Sequence, residues 1–83
     1  MYRLFIAPSS KKQFTSIKKI YQQGINSTLL ELKENPYYGK ALIKDLVGKF
    51  SFRVGVYRVI YKINEKDKII SILNIGHRAT VYK

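Results

Sequence analysis

FSFRVGVYRVIY, residues 50–61, decides how this chain folds. The run is rich in β-branched and aromatic residues, and Gly55 is its only breaker, which is the pattern of a β-hairpin. A two-residue loop at Gly55-Val56 fits a type II′ turn, whose first central position needs glycine. That turn sets the register: Val54 pairs with Tyr57, Arg53 with Arg58, Phe52 with Val59, Ser51 with Ile60 and Phe50 with Tyr61. Alternation then yields two unlike faces. Phe50, Phe52, Val54, Tyr57, Val59 and Tyr61 form a core face, while Lys49, Ser51, Arg53, Arg58, Ile60 and Lys62 share the other. Tyr57 and Tyr61 are thus read as packing residues. On the second face two arginines stand directly opposite each other, and like charges so placed cost up to about 1 kcal/mol. Solvation of each guanidinium absorbs that cost, and on this reading the pair has no task. A polyanion gives it one, because two planar donor forks can hold phosphate oxygens from two sides.

Working outward, YRLFIA (2–7) reads as a first strand ended by Pro8. Ser9 or Ser10 caps a helix through KKQFTSIKKIYQQ (11–23), with Phe14, Ile17, Ile20 and Tyr21 at helical spacing, and Gly24 closes it. A second helix covers INSTLLELKEN (25–35), with Ile25, Leu29, Leu30 and Leu32 as the buried stripe and Pro36 as the stop. Residues 35–49 read as a polar loop anchored by Leu42 and Leu46, with a short strand near 43–47 and a solvated rim of Lys40, Lys44 and Lys49. NEKD (64–67) makes the next turn and KIISILNI (68–75) the next strand. A tight turn there puts Arg58 across from Leu73 and Tyr61 across from Ile70. Ile70 and Ile72 then join the core face, and Ile69, Leu73 and Ile75 fall on the other. Gly76 interrupts the alternation, so no face follows for His77 or Arg78. The expected class is α+β: an N-terminal strand, a two-helix hairpin, then a three- to four-stranded antiparallel sheet with the helices on one face and the basic face open.

The 83 residues make one domain, 1–83. There is no cysteine, and one histidine with five scattered acids argues against a dedicated metal centre. No apolar run approaches the ~20 residues of a membrane span, and MYRLFIAPSS lacks the apolar stretch of a signal peptide, so the expected compartment is the cytoplasm. Sixteen lysines and arginines give a net charge of +11. So strong a field in so small a domain favours an acidic partner: nucleic acid first, an acidic protein second, a membrane surface a distant third. Lys11, Lys12, Lys18 and Lys19 fit a solvated helix face that adds non-specific affinity for RNA.

Three stretches, GKALIKDL (39–46), RVGVYRVIY (53–61) and GHRATVY (76–82), resemble the RelE/ParE toxin superfamily of toxin–antitoxin systems, and the helical hairpin at 9–35 agrees in spacing. The resemblance implies a RelE-like fold similar to microbial ribonucleases. RelE-like members cut mRNA in the ribosomal A site and leave a 2′,3′-cyclic phosphate and a 5′-hydroxyl, whereas ParE-like members poison DNA gyrase. ParE-like chains often lack a terminal tyrosine, and the V-Y kept here favours the RNA-cleaving branch. Carried over by motif, Arg58 matches the arginine of G-x-Y-R, Arg78 the arginine after the C-terminal glycine, and Tyr82 the terminal tyrosine, with Arg53 at a position the family fills with lysine or arginine.

The implied chemistry needs a base for the ribose 2′-OH, charge stabilisation of the phosphorane and an acid for the leaving oxygen. Arg58 and Arg78 suit the second task, and Arg53 with Lys40, Lys44 and Ser51 is placed to hold phosphates. For the base, Lys49 and Tyr82 are the candidates, since arginine keeps its proton. His77 is either an acid–base group or a ring packed at the sheet end. The resemblance further implies no cofactor, no metal and no membrane. It implies an antitoxin in heteromeric complex with the chain, and as targets ribosome-bound mRNA and ribosomal RNA. A third reading, a weakened member that only binds nucleic acid or antitoxin, follows from Ser51 and Arg53 if a lysine at one of these positions is what the activity needs.

Overall fold

The hairpin forms where alternation places it. In the computed structural model, which describes residues 1–77, strands β3 (Lys49–Val54) and β4 (Tyr57–Asn64) pair antiparallel, Val54 with Tyr57 through Lys49 with Lys62. Gly55 has φ 60° and Val56 is not in the left-handed region, as a type II′ turn demands. Strand β5 (Ile69–His77) pairs antiparallel with β4, and β1 (Arg3–Ile6) lies beyond β5, parallel to it. A two-residue β2 (Lys40–Ala41) edges β3, so the sheet is mixed, five strands in the order β1-β5-β4-β3-β2. The fold is the expected α+β class, with four antiparallel strands and the N-terminal strand added in parallel at one edge.

One face of this sheet carries the helices α1 (Pro8–Thr15) and α2 (Lys19–Glu34). Between them Ile17, Ile25, Leu29 and Leu32 pack on Phe52, Val59, Tyr61, Ile70, Ile72 and Ile75. The helix boundary differs from the expectation. The chain breaks at 16–18 and then runs helically straight through Gly24. At the break the Thr15 and Ser16 hydroxyls donate to the carbonyls of Lys12 and Gln13, both at 2.8 Å, and Gln22 Nε2 donates to Phe14 O at 2.9 Å. Short polar side chains thus satisfy the last turn of α1 locally. Gly24 is present for proximity: a Cβ there would lie 2.8 Å from Val54 Cγ1, so only glycine lets α2 approach β3 this closely. Ala7, not Ser9 or Ser10, is the N-cap of α1, with Pro8 in the first turn; Ser10 is buried and its hydroxyl faces Ile72 O at 3.4 Å.

With α2 as one unit, Ile25, Leu29 and Leu32 set its buried face, and Leu30 and Ile20 are 63% and 72% exposed, outside the expected stripe. At about 100° per residue Leu30 turns off the line of Leu29, and Ile20 lies about 140° from Ile25. The β4–β5 register also differs. The connection spans Glu65 to Lys68, with Lys68 at φ 57°, and Asn64 closes it by accepting from Asp67 N at 3.0 Å. Tyr61 therefore faces Ile72 rather than Ile70. A bulge then leaves Leu73 as the extra residue, so that Ile60 faces Asn74 and Arg58 faces Gly76. The bulge reverses parity: Ile75, expected on the outer face, is opposite Val59 and 1% exposed in the core.

Candidate nucleic-acid interface

Arg53 and Arg58 form the cross-strand pair the hairpin register requires, on the face away from the helices. Arg53 is exposed and Arg58 half-buried. Ser51, on the same face, is 5% exposed, as is Ile60, so this face is less open than expected. Beside β3, the β2 strand pairs Lys40 with Ser51 and so sets the Lys40 side chain on the arginine face. These residues converge. A cavity of about 500 Å³ is lined by Tyr38, Gly39, Lys40, Ser51, Phe52, Arg53 and Arg58. Its described lining holds three cations and no acid. A second cavity of about 320 Å³ shares the Lys40, Ser51 and Arg58 wall and continues over Leu42, Ile43 and Leu46.

What brings β2 here is Tyr61. The side chain is fully buried, and its hydroxyl donates to Pro36 O at 2.8 Å and accepts from Gly39 N at 2.9 Å. A Cβ on Gly39 would sit 2.5 Å from Tyr61 Oη and 2.7 Å from Ser51 O, which is why glycine precedes β2. Burial raises the Tyr61 phenol above its ordinary value, offset in part by the hydrogen bond from the Gly39 amide. The neutral hydroxyl is therefore the form that holds the segment.

The remaining candidates are distributed as follows. Lys49 pairs with Lys62 at the far end of the hairpin, and Lys44 is exposed in a 3₁₀ turn (Lys44–Leu46) with φ 56°. Neither lines the two cavities. That turn and β2 replace the short strand expected near 43–47. The bulge puts His77 opposite Tyr57, with ring centroids 6.3 Å apart, on the helix side of the sheet and away from Arg53 and Arg58. Arg78 and Tyr82 lie outside the described residues. Tyr38 was missed by sequence reasoning. In Asn-Pro-Tyr-Tyr-Gly-Lys it belongs to no periodic pattern, and the one available signal is an aromatic residue in a loop next to the basic β2.

Among the described residues no group of three metal-ligating side chains comes together, and no helix is long and apolar enough to cross a membrane. Residues 4–82 match the family model of the ParE toxin of the parDE type II toxin–antitoxin system. Over 45 residues the chain is 42% identical to toxin RelG of Mycobacterium tuberculosis, covering 54% of this chain and 52% of that protein. The chain thus spans about half the length of the curated relatives it matches. Among solved structures, the RelBE2 toxin–antitoxin complex of M. tuberculosis superposes with a TM-score of 0.83 at 25% identity, covering 93% of this chain and 98% of the other. The archaeal RelE–RelB complex of Pyrococcus horikoshii gives 0.77 at 27%, covering 96% and 98%.

Proposed function

The chain belongs to the ParE toxin family of type II toxin–antitoxin systems, and from that premise we propose that it is a toxin that cuts ribosome-bound mRNA without a metal. The observation that carries this reading is the cavity in which Arg53, Arg58 and Lys40 meet over Ser51. Three fixed donors suit a phosphodiester whose negative charge grows as the 2′-oxygen attacks phosphorus. Attack forms the O2′–P bond and breaks the P–O5′ bond, so the products are a 2′,3′-cyclic phosphate and a 5′-hydroxyl. Arg58, half-buried between the two cavities, stabilises the phosphorane, and exposed Arg53 holds the scissile or the adjacent phosphate. Arginine keeps its proton. Of the described lining groups Lys40 is the one amine, and as the free amine it takes the 2′-OH proton and, as the ammonium so formed, returns it to the leaving O5′.

The basic face also suits an antitoxin that covers it and the helices, as charge complementarity would favour. Two of the solved relatives are toxin–antitoxin or RelE–RelB complexes. A second reading rests on the ParE name of the matching family model: a non-nucleolytic inhibitor of DNA gyrase. Induced expression separates the two. The nuclease reading expects growth arrest with shortened transcripts and DNA that stays supercoiled and unbroken; the gyrase reading expects trapped cleaved DNA with intact transcripts. Intact mRNA under growth arrest would overturn the nuclease reading.

A further inference from the structure

Two adjacent tyrosines, Tyr37 and Tyr38, are about equally exposed, 50% and 55%, yet the fold uses them differently. Tyr37 is committed. Its ring meets Phe50 edge-on at 5.6 Å between centroids, and its hydroxyl donates to Glu65. Among the described residues the Tyr38 side chain makes no hydrogen bond and no ring contact, and it lines the cavity that holds Arg53, Arg58 and Lys40. Its backbone is nevertheless fixed. Pro36, two residues before it, and Gly39, directly after it, are both hydrogen-bonded to the Tyr61 hydroxyl, and Tyr38 N donates to Asn35 O at 3.1 Å. A large aromatic ring is thus held half in water, next to a cluster of three cations, with no structural task.

We propose that the Tyr38 ring is a nucleobase-stacking platform for the single-stranded RNA whose phosphates lie on Arg53 and Arg58. The proposal rests on the nucleic-acid reading of that cavity and adds a base subsite to it. The chemistry follows from the strand itself. Adjacent phosphates and bases alternate along an unpaired chain, so a cation cluster engaging a phosphate brings a base within reach of whatever flanks it. An aromatic face accepts any base, because every base has a π-face, and the preorganised backbone keeps the ordering cost low. The platform therefore adds affinity without selecting sequence.

The chain has no tryptophan, so Tyr38→Trp gives it a single indole fluorophore. Titration with a short 2′-O-methyl oligoadenylate, which cannot be cut, is expected to quench that emission, whereas inorganic polyphosphate binds without quenching. By anisotropy of the labelled oligonucleotide, Tyr38→Phe binds like the parent and Tyr38→Leu roughly 5- to 150-fold more weakly, both with unchanged thermal melts. Salt-sensitive binding with unaltered emission, or Tyr38→Leu binding like the parent, overturns the platform and leaves the ring to a protein partner. Failure of the parent to bind the oligonucleotide at low salt overturns the nucleic-acid reading and the platform together.

Discussion

Replacing Tyr61 with phenylalanine removes one oxygen from the centre of the fold and, through it, the tether of the site. The hydroxyl has two partners, Pro36 O at 2.8 Å and Gly39 N at 2.9 Å, and the side chain is fully buried. Each hydrogen bond contributes about 0.5–1.5 kcal/mol net, and a buried partner left unsatisfied costs about 1–3 kcal/mol. Water can reach part of the half-buried Gly39 region, so the loss for Tyr61→Phe is set at about 2–3 kcal/mol. In a domain of this size about 1 kcal/mol moves Tm by roughly 4–8 °C, so a drop of about 8–24 °C is expected by circular dichroism. A pH signature accompanies it. Burial raises the Tyr61 phenol in the folded state, so its contribution is complete below the unfolded value near 10 and is lost as pH rises through the folded value. Urea titrations of the parent should show stability falling above about pH 10, with the Tyr61 share of that fall absent in Tyr61→Phe. A loss under about 0.5 kcal/mol, or the same alkaline slope in both proteins, would contradict the tether.

Other substitutions probe neighbouring contacts. Gly39→Ala forces a methyl against Tyr61 Oη and Ser51 O and should cost at least about 1–3 kcal/mol in denaturant titrations. Gly24→Ala gains helix propensity but meets Val54 Cγ1, so it should destabilise alone and be rescued by Val54→Ala; additive effects in the double-mutant cycle would deny the contact. Arg53→Gln relieves the opposed charges, leaving stability unchanged or raised by up to about 1 kcal/mol, while RNA affinity falls and its salt slope drops by about one.

How far the fold could be read from the residues depends on where the pattern was two-sided. The β3–β4 register was legible because Gly55 permits one short turn and alternation admits no slip without exposing Phe52 and Val59. The helices were harder. Gly24 looks like a terminator in one dimension, and its contact with Val54 exists only after the sheet has formed. In β5 every residue of IISIL is of a type either face accepts, so the bulge at Leu73 left no mark in the sequence. That bulge moved Ile75 into the core and His77 to the helix side. The arginine pair was likewise visible from parity alone. Lys40 and Tyr38 join it through the Tyr61 hydroxyl, a side-chain-to-backbone bond between residues 25 apart in sequence for Pro36, which no local pattern encodes.

The central claim is that Arg53 and Arg58 hold a ribose–phosphate linkage in position for cleavage. The most direct measurement maps mRNA 5′ ends on programmed ribosomes incubated with the parent chain, Arg53→Ala or Arg58→Ala. New 5′-hydroxyl ends in the A site with the parent, reduced by Arg53→Ala and abolished by Arg58→Ala in folded protein, are the predicted result. Intact mRNA with the parent, or undiminished cutting by Arg58→Ala, would contradict it.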